Sequence, residues 1–270
     1  MNGANLRKRA GALHNTEKEE TAMWFFSDVY LIYLCSGLII LPCLLLATWA
    51  SARVHSTYNK YNKLPTSTDW TGSDTARMLL EKNGIADIAV VRGKGKLTDN
   101  FNPRSKTVTL SESTYASNSV AAVAVSAHEI GHVVQRARGY AFYRLRTALV
   151  PLTNIGSMLA FPVVIVGVIL EWTLASSTAG NIVVFAGICL YALSTLFCLV
   201  TLPVELNASS RAKKMLAETG VLVTKEEQKA AAKVLSAAAM TYVASLLTSL
   251  VYFLRFLLYV FLLTGRRRND

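Results

Sequence analysis

The chain has 270 residues, 52% of them hydrophobic and only 17% charged, and a net charge of +11. Soluble domains carry about 25% charged residues, so this composition argues against an ordinary soluble protein. The excess of positive charge does not point to nucleic acid: the basic residues sit beside apolar runs, with no aromatic–basic surface or zinc-finger spacing among them.

Residues 1–23 read as a polar tail, with Arg7, Lys8 and Arg9 set against Glu17, Glu19 and Glu20. The first apolar run, Val29–Thr48, is uncharged and lies in a segment, 24–49, expected to be a transmembrane helix. It is too long for the apolar core of a signal peptide, and no clean cleavage site follows it. A bilayer core of ~30 Å takes about 20 apolar residues in a helix. Three later runs meet that length: Leu152–Leu170, Asn181–Pro203 and Tyr242–Leu263. The sequence therefore predicts a mainly α, polytopic membrane protein with about four transmembrane helices. Pro42 and Pro162 are expected to kink theirs. Cys35, Cys43, Cys189 and Cys198 all fall inside the runs and behave as small hydrophobes, with no redox pairing implied.

Between the first two spans, residues 50–151 carry the polar content of a small α+β portion. Thr71 or Ser73 can cap a helix whose apolar positions Ala76, Leu79 and Leu80 share one face, with Gly84 as its stop. IADIAVVRG (85–93) and SKTVTLSE (105–112) read as short strands, and the Gly-, Asn- and Pro-rich stretch between them as turns. A small antiparallel sheet is expected, with the 106–110 strand able to pair with an extended substrate.

Next comes a helix expected from about Asn118 to Gly139, containing SAHEIGHVVQ. Residues four apart lie about 40° from each other around a helix, so His128 and His132 project from one face. Two neutral imidazoles so placed suit zinc, and Glu129 between them is positioned to act as general base. The plain alternative is a pair of satisfied helix histidines with a solvated glutamate. The apolar helix argues against it, since a carboxylate without a task is costly there.

Residues 152–203 hold the second and third spans, and 204–236 form a further helical segment that opens PVELNASSRA. Four spans put 50–151 and 204–236 on the same side of the membrane, so a third ligand can come from the second segment. Glu205 fits that position. It can equally be an interfacial charge or the N-cap of a following helix, and the residues alone leave this open; Glu218, Glu226 and Glu227 are runners-up. The fourth span, 237–263, carries Arg255, which an early start to the span would leave near the interface, and a basic tail, 264–270, ends the chain. Arg53, Lys60, Arg136, Arg144, Arg146, Arg211 and Lys213 all flank the catalytic side. They favour a cytoplasmic face by the positive-inside rule, although Arg266, Arg267 and Arg268 at the other face argue back.

The stretches TYNKY (57–61), LTDNFNP (97–103), SVAAVAVSAHEIGHVVQ (119–135), LVP (149–151), TLPVELNASSRA (201–212) and KVLSAAAMTYVA (233–244) together resemble the YugP-type membrane zinc metallopeptidases. The resemblance covers roughly residues 49 to 250. It implies a gluzincin-like, zincin-type catalytic portion holding one Zn2+ per chain, with His128, His132 and Glu205 as ligands and Glu129 as base. The chain departs from the pattern in places. Asn207 stands where that family often has Asp, and Asn100 and Asn102 replace an expected His and Asp. Ser209 takes the place of an acid found in the more distant HtpX-type and prenyl-protein peptidases. Asn207, Ser209, Tyr140 and Arg211 are candidates for oxyanion stabilisation or ligand support.

A zinc metalloendopeptidase is the expected function, acting on peptide or membrane-protein segments at the bilayer surface, with anionic lipid as the surrounding partner and no nucleic acid. The sequence is silent on oligomeric state. The competing class is a membrane scaffold or assembly factor with a vestigial zinc site, against which the retained Glu129 speaks. A transporter would place acids or histidines inside the spans, which lack them.

Overall fold

The computed structural model describes residues 31–32, 34–173 and 177–264. The tails at 1–23 and 265–270, including Arg266, Arg267 and Arg268, lie outside the described residues. Among the described residues, four helices are long and apolar enough to cross a membrane: Leu34–Tyr61, Ala141–Glu171, Thr178–Thr219 and Lys225–Leu262. The protein is mainly α with a small α+β portion, as the composition and runs predict.

The elements in chain order are α1 (Ile40–Tyr61), α2 (Gly72–Lys82), β1 (Ala89–Arg92), β2 (Asn100–Asn102), β3 (Thr107–Leu110), α3 (Glu112–Tyr115), α4 (Val120–Ala137), α5 (Ala141–Thr173), α6 (Ser177–Thr219) and α7 (Lys225–Thr264). Thr71 caps α2 in a capping box with Asp74, and Gly84, at φ 69°, ends the segment in the left-handed region. Ser119 caps α4 by accepting from Ala122 N at 3.1 Å, which fixes where the motif helix begins. Before α1, Leu38 and Ile39 donate to the carbonyls three residues back, and Leu41 to Leu38. This tight turn lies one helical turn ahead of Pro42, where a proline ring crowds the carbonyl four residues earlier.

Four features differ from expectation. The sheet is mixed, not antiparallel: its order is β1-β3-β2, with β1 parallel and β2 antiparallel to β3. Strand β2 lies within the stretch read as turns. Its three residues owe their pairing to β3, Phe101 facing Val108 and Asn102 facing Thr107, and the Asn102 side chain closes the hairpin by accepting from Arg104 N at 2.9 Å. β3 is therefore the central strand and has no free edge for a substrate, because β1 and β2 pair with its two sides, while Val108 and Leu110 form its fully buried face. Finally, the 204–219 segment is no separate helix, since α6 runs unbroken through Pro203.

One core joins the motif helix to its surroundings. Leu79 and Leu80 of α2, Val108 and Leu110 of β3, Val123, Ala127 and Ile130 of α4, Leu216 of α6 and Val234 of α7 pack together. Within the spans, α5 and α6 approach closely: a Cβ on Gly187 would stand 3.0 Å from the Ala160 carbonyl oxygen. Small residues allow such contact where lipid supplies no hydrophobic drive between helices. Arg255 donates from Nε to Ser36 Oγ of the first span at 3.2 Å, so this cation of the fourth span is engaged between helices.

Candidate metal centre

The site forms where α4 crosses α6. Gly131, inside the HEIGH sequence, makes the crossing possible: a Cβ there would lie 2.7 Å from the Ala208 carbonyl oxygen and 3.2 Å from the Ala208 Cα. These are backbone atoms and cannot swing aside. Gly131→Ala is expected to cost about 1–3 kcal/mol by overpacking and to loosen metal binding by pushing α6 away, which a lower melting temperature and a weaker metal titration would register together.

His128, Glu129 and His132 project from α4 and Glu205 from α6, around a cavity of about 180 Å3. Glu205 Oε2 lies 3.2 Å from His128 Nε2 and 3.3 Å from His132 Nε2. The ligand atoms of these three residues all fall within 4.8 Å of one another. Ligands at 2.0–2.1 Å from a tetrahedral zinc are separated by about 3.3 Å, so the spacing suits that ion. Glu205 Oε1 meets Arg146 Nη1 at 3.2 Å, which leaves one oxygen of the carboxylate for a metal and holds the other.

The hydrogen bonds around His132 determine its tautomer. Arg211 Nε, which can only donate, reaches Asn207 Oδ1 at 2.8 Å. Asn207 thus presents its oxygen, which also accepts from Gln135 Nε2 at 3.0 Å, while the same amide donates to Val204 O at 2.8 Å. Gln135 must then turn its oxygen to His132 Nδ1, 3.0 Å away, and Nδ1 carries the proton. The His132 Nε2 lone pair is left facing a carboxylate oxygen. That contact is repulsive without a cation between the two, and the donor set therefore fits a divalent metal. On the other imidazole, His128 Nδ1 lies 3.2 Å from Ser209 Oγ, which can accept from it.

Glu129 is 8% exposed, and burial raises its carboxyl from 4.5 to about 7, against the opposing pull of His128. A base near neutrality can both take and return a proton at physiological pH.

Of the residues singled out from sequence, Asn207 and Ser209 support the histidines and Arg211 braces Asn207. Tyr140 lies outside the cavity lining, its ring against Phe142. Glu227, a runner-up ligand, is committed elsewhere: it accepts from Ser67 N and Oγ and from the backbone of Val223 and Thr224, clamping the start of α7. Glu218 faces Lys214 on the helix surface. Sequence reasoning missed Tyr143, Arg146 and Tyr242 as cavity residues, along with Gln135. Tyr143 and Arg146, three apart on one helix, share a face, a spacing that could have separated Arg146 from the purely flanking bases.

Comparison with known proteins gives the chain a family. A family model described as "Putative neutral zinc metallopeptidase" matches residues 36–261. The chain belongs to that family. It is also 40% identical over 224 residues to the "Putative membrane protease YugP" of Bacillus subtilis (strain 168), an alignment covering 83% of this chain and 95% of the relative. No solved structure matches the chain.

Proposed function

We propose that the protein is a zinc-dependent metalloendopeptidase that cleaves peptide bonds at the membrane surface. The observation that carries this is the convergence of His128, His132 and Glu205 on one point, with the buried carboxyl of Glu129 in the same cavity. Zinc, when bound, supplies a Lewis acid for the scissile carbonyl and lowers the pKa of water toward ~7. Glu129 takes the proton of the attacking water and delivers it to the leaving amine. Arg146 keeps Glu205 in its orientation. The phenols of Tyr143 and Tyr242 line the same cavity; Tyr242 is bonded to Glu205, and Tyr143 is the donor we assign to a developing oxyanion.

Strand β2 replaces β3 as the element that pairs with substrate. It sits at one edge of the sheet, and Asp99, Asn100 and Phe101 line the cavity. An extended peptide added along that edge runs past Glu129. Glu205 follows the third apolar run by two residues, and Tyr242 comes from the fourth span, which keeps the cavity near the bilayer and favours membrane-protein segments as substrates.

The test is metal content of the detergent-purified chain, prepared without chelator, beside hydrolysis of an unstructured peptide library. About one zinc per chain, with cleavage lost on chelation and regained with zinc, is expected; a folded protein that binds no zinc would reject the reading. The flanking bases favour a cytoplasmic catalytic face. With the four native cysteines replaced, Lys94→Cys is expected to react with a membrane-impermeant maleimide only after cells are opened. Labelling of intact cells would reverse the orientation.

A further inference from the structure

A second cavity lies on the same side of the membrane, between α1 and α7. It measures about 600 Å3 and is lined by Arg53, Thr57 and Lys60 from α1 and by Lys233, Ser236 and Met240 from α7, among others. The α1 residues recur at helical spacing along one stripe, as do those of α7, so the cavity is the seam of two facing helix surfaces. No carboxylate lines it. Among the described residues, none of its three cations pairs with a carboxylate elsewhere.

Its depth is set by the first span. Trp49 is exposed at the end of the apolar run, with the Arg53 guanidinium 5.2 Å from its ring centre, an arrangement typical of the boundary between hydrocarbon and headgroups. α1 leaves the membrane as α7 enters it, so Arg53 and Met240 mark the deep end and Lys60 and Lys233 the outer end. Lys60, Lys233 and the two hydroxyls thus occupy the headgroup level, while Arg53 lies deeper, level with the apolar surface of Met240.

We propose that this seam binds the phosphodiester headgroup of an anionic phospholipid. Arg53, Lys60 and Lys233 neutralise the phosphate, the Thr57 and Ser236 hydroxyls donate to its oxygens, and the glycerol and upper acyl chains lie along Ala237 and Met240. Free phosphate would use the cations but has no need of the apolar floor or of a position beside Trp49. Basic pockets between helices at an anionic leaflet are suited to such headgroups.

The full-length protein in neutral detergent can be titrated with phosphatidylglycerol or phosphatidylcholine and the retained lipid counted by native mass spectrometry. Wild type is expected to hold phosphatidylglycerol in preference to phosphatidylcholine. The triple variant Arg53→Gln, Lys60→Gln, Lys233→Gln should bind it on the order of a hundredfold more weakly, and Lys60→Gln or Lys233→Gln alone about fivefold. A control removing equal charge elsewhere, Lys94→Gln, Arg104→Gln, Lys213→Gln, should bind as wild type. The single variants keep the test decisive if the triple variant misfolds. Equal binding of both lipids, or equal loss in the control, overturns the proposal. Displacement of phosphatidylglycerol by millimolar inorganic phosphate would make this a phosphate site and not a lipid site.

Discussion

Glu129→Gln is expected to lower peptide hydrolysis by about 10²–10⁴-fold while zinc content stays at the wild-type level. The amide keeps the size and hydrogen-bonding reach of the carboxyl but cannot accept the proton of the attacking water. The histidines and Glu205 are untouched, so the metal should remain. Loss of zinc along with activity would mean that Glu129 helps hold the ion, and unchanged activity would remove it from the mechanism. The same substitution has a second readout in chelator-treated protein. Burial holds the Glu129 carboxyl at about 7 in the fold, against 4.5 when exposed. Because the folded state grips this proton more tightly, ionisation disfavours folding. Below pH 4.5 the group is neutral in both states and costs nothing; between 4.5 and 7 the metal-free wild type progressively loses stability, up to about 3 kcal/mol. Glu129→Gln lacks that loss. Its melting temperature should match wild type in acid and exceed it above neutrality, and a gap that shrank as pH rose would contradict the assignment.

What could be read from the sequence was what is encoded locally. Two candidate ligands and a candidate base on consecutive turns of one helix are visible as five residues, and an uninterrupted apolar run announces a span by length alone. Glu205 is different. It lies 77 residues from His128 along the chain, and only topology and the family resemblance single it out from other acids. Arg146 was hidden for a related reason. A base beside a span satisfies the orientation rule wherever it points, and pattern alone does not show that this one turns inward to Glu205 Oε1. Strand pairing is likewise non-local. The short β2 has asparagine at both ends, poor strand residues, and becomes a strand because Val108 of β3 lies opposite Phe101. α6 continues past Pro203, so the helical segment expected from 204 onward is the continuation of the third span.

Gln135→Leu is expected to weaken zinc binding by about 10–100-fold although Gln135 is not a ligand. Leucine has similar bulk but offers no acceptor to His132 Nδ1, and the imidazole loses the partner that keeps its proton on that nitrogen. With Nδ1 unconstrained, the ring can carry the proton on Nε2, the atom that faces Glu205. Leucine also removes the side-chain hydrogen bond to the buried Val204 carbonyl, so a fall in stability alone would not prove the point. Gln135→Glu separates the two effects. A carboxylate still accepts from Nδ1, as in the carboxylate–histidine pairs common around zinc, yet donates to neither Val204 nor Asn207. If the relay fixes the tautomer, the glutamate variant should melt lower than wild type but bind zinc far more tightly than the leucine variant in a competition titration with a chelator. Glu205→Ala sets the floor of that titration, because it deletes a proposed ligand outright and leaves Arg146 facing an empty corner. Equal loss in Gln135→Leu and Gln135→Glu would show that Gln135 serves packing alone. The serine beside His128 makes a weaker contrast, since Ser209 can donate as well as accept and so leaves that ring's tautomer to the metal itself.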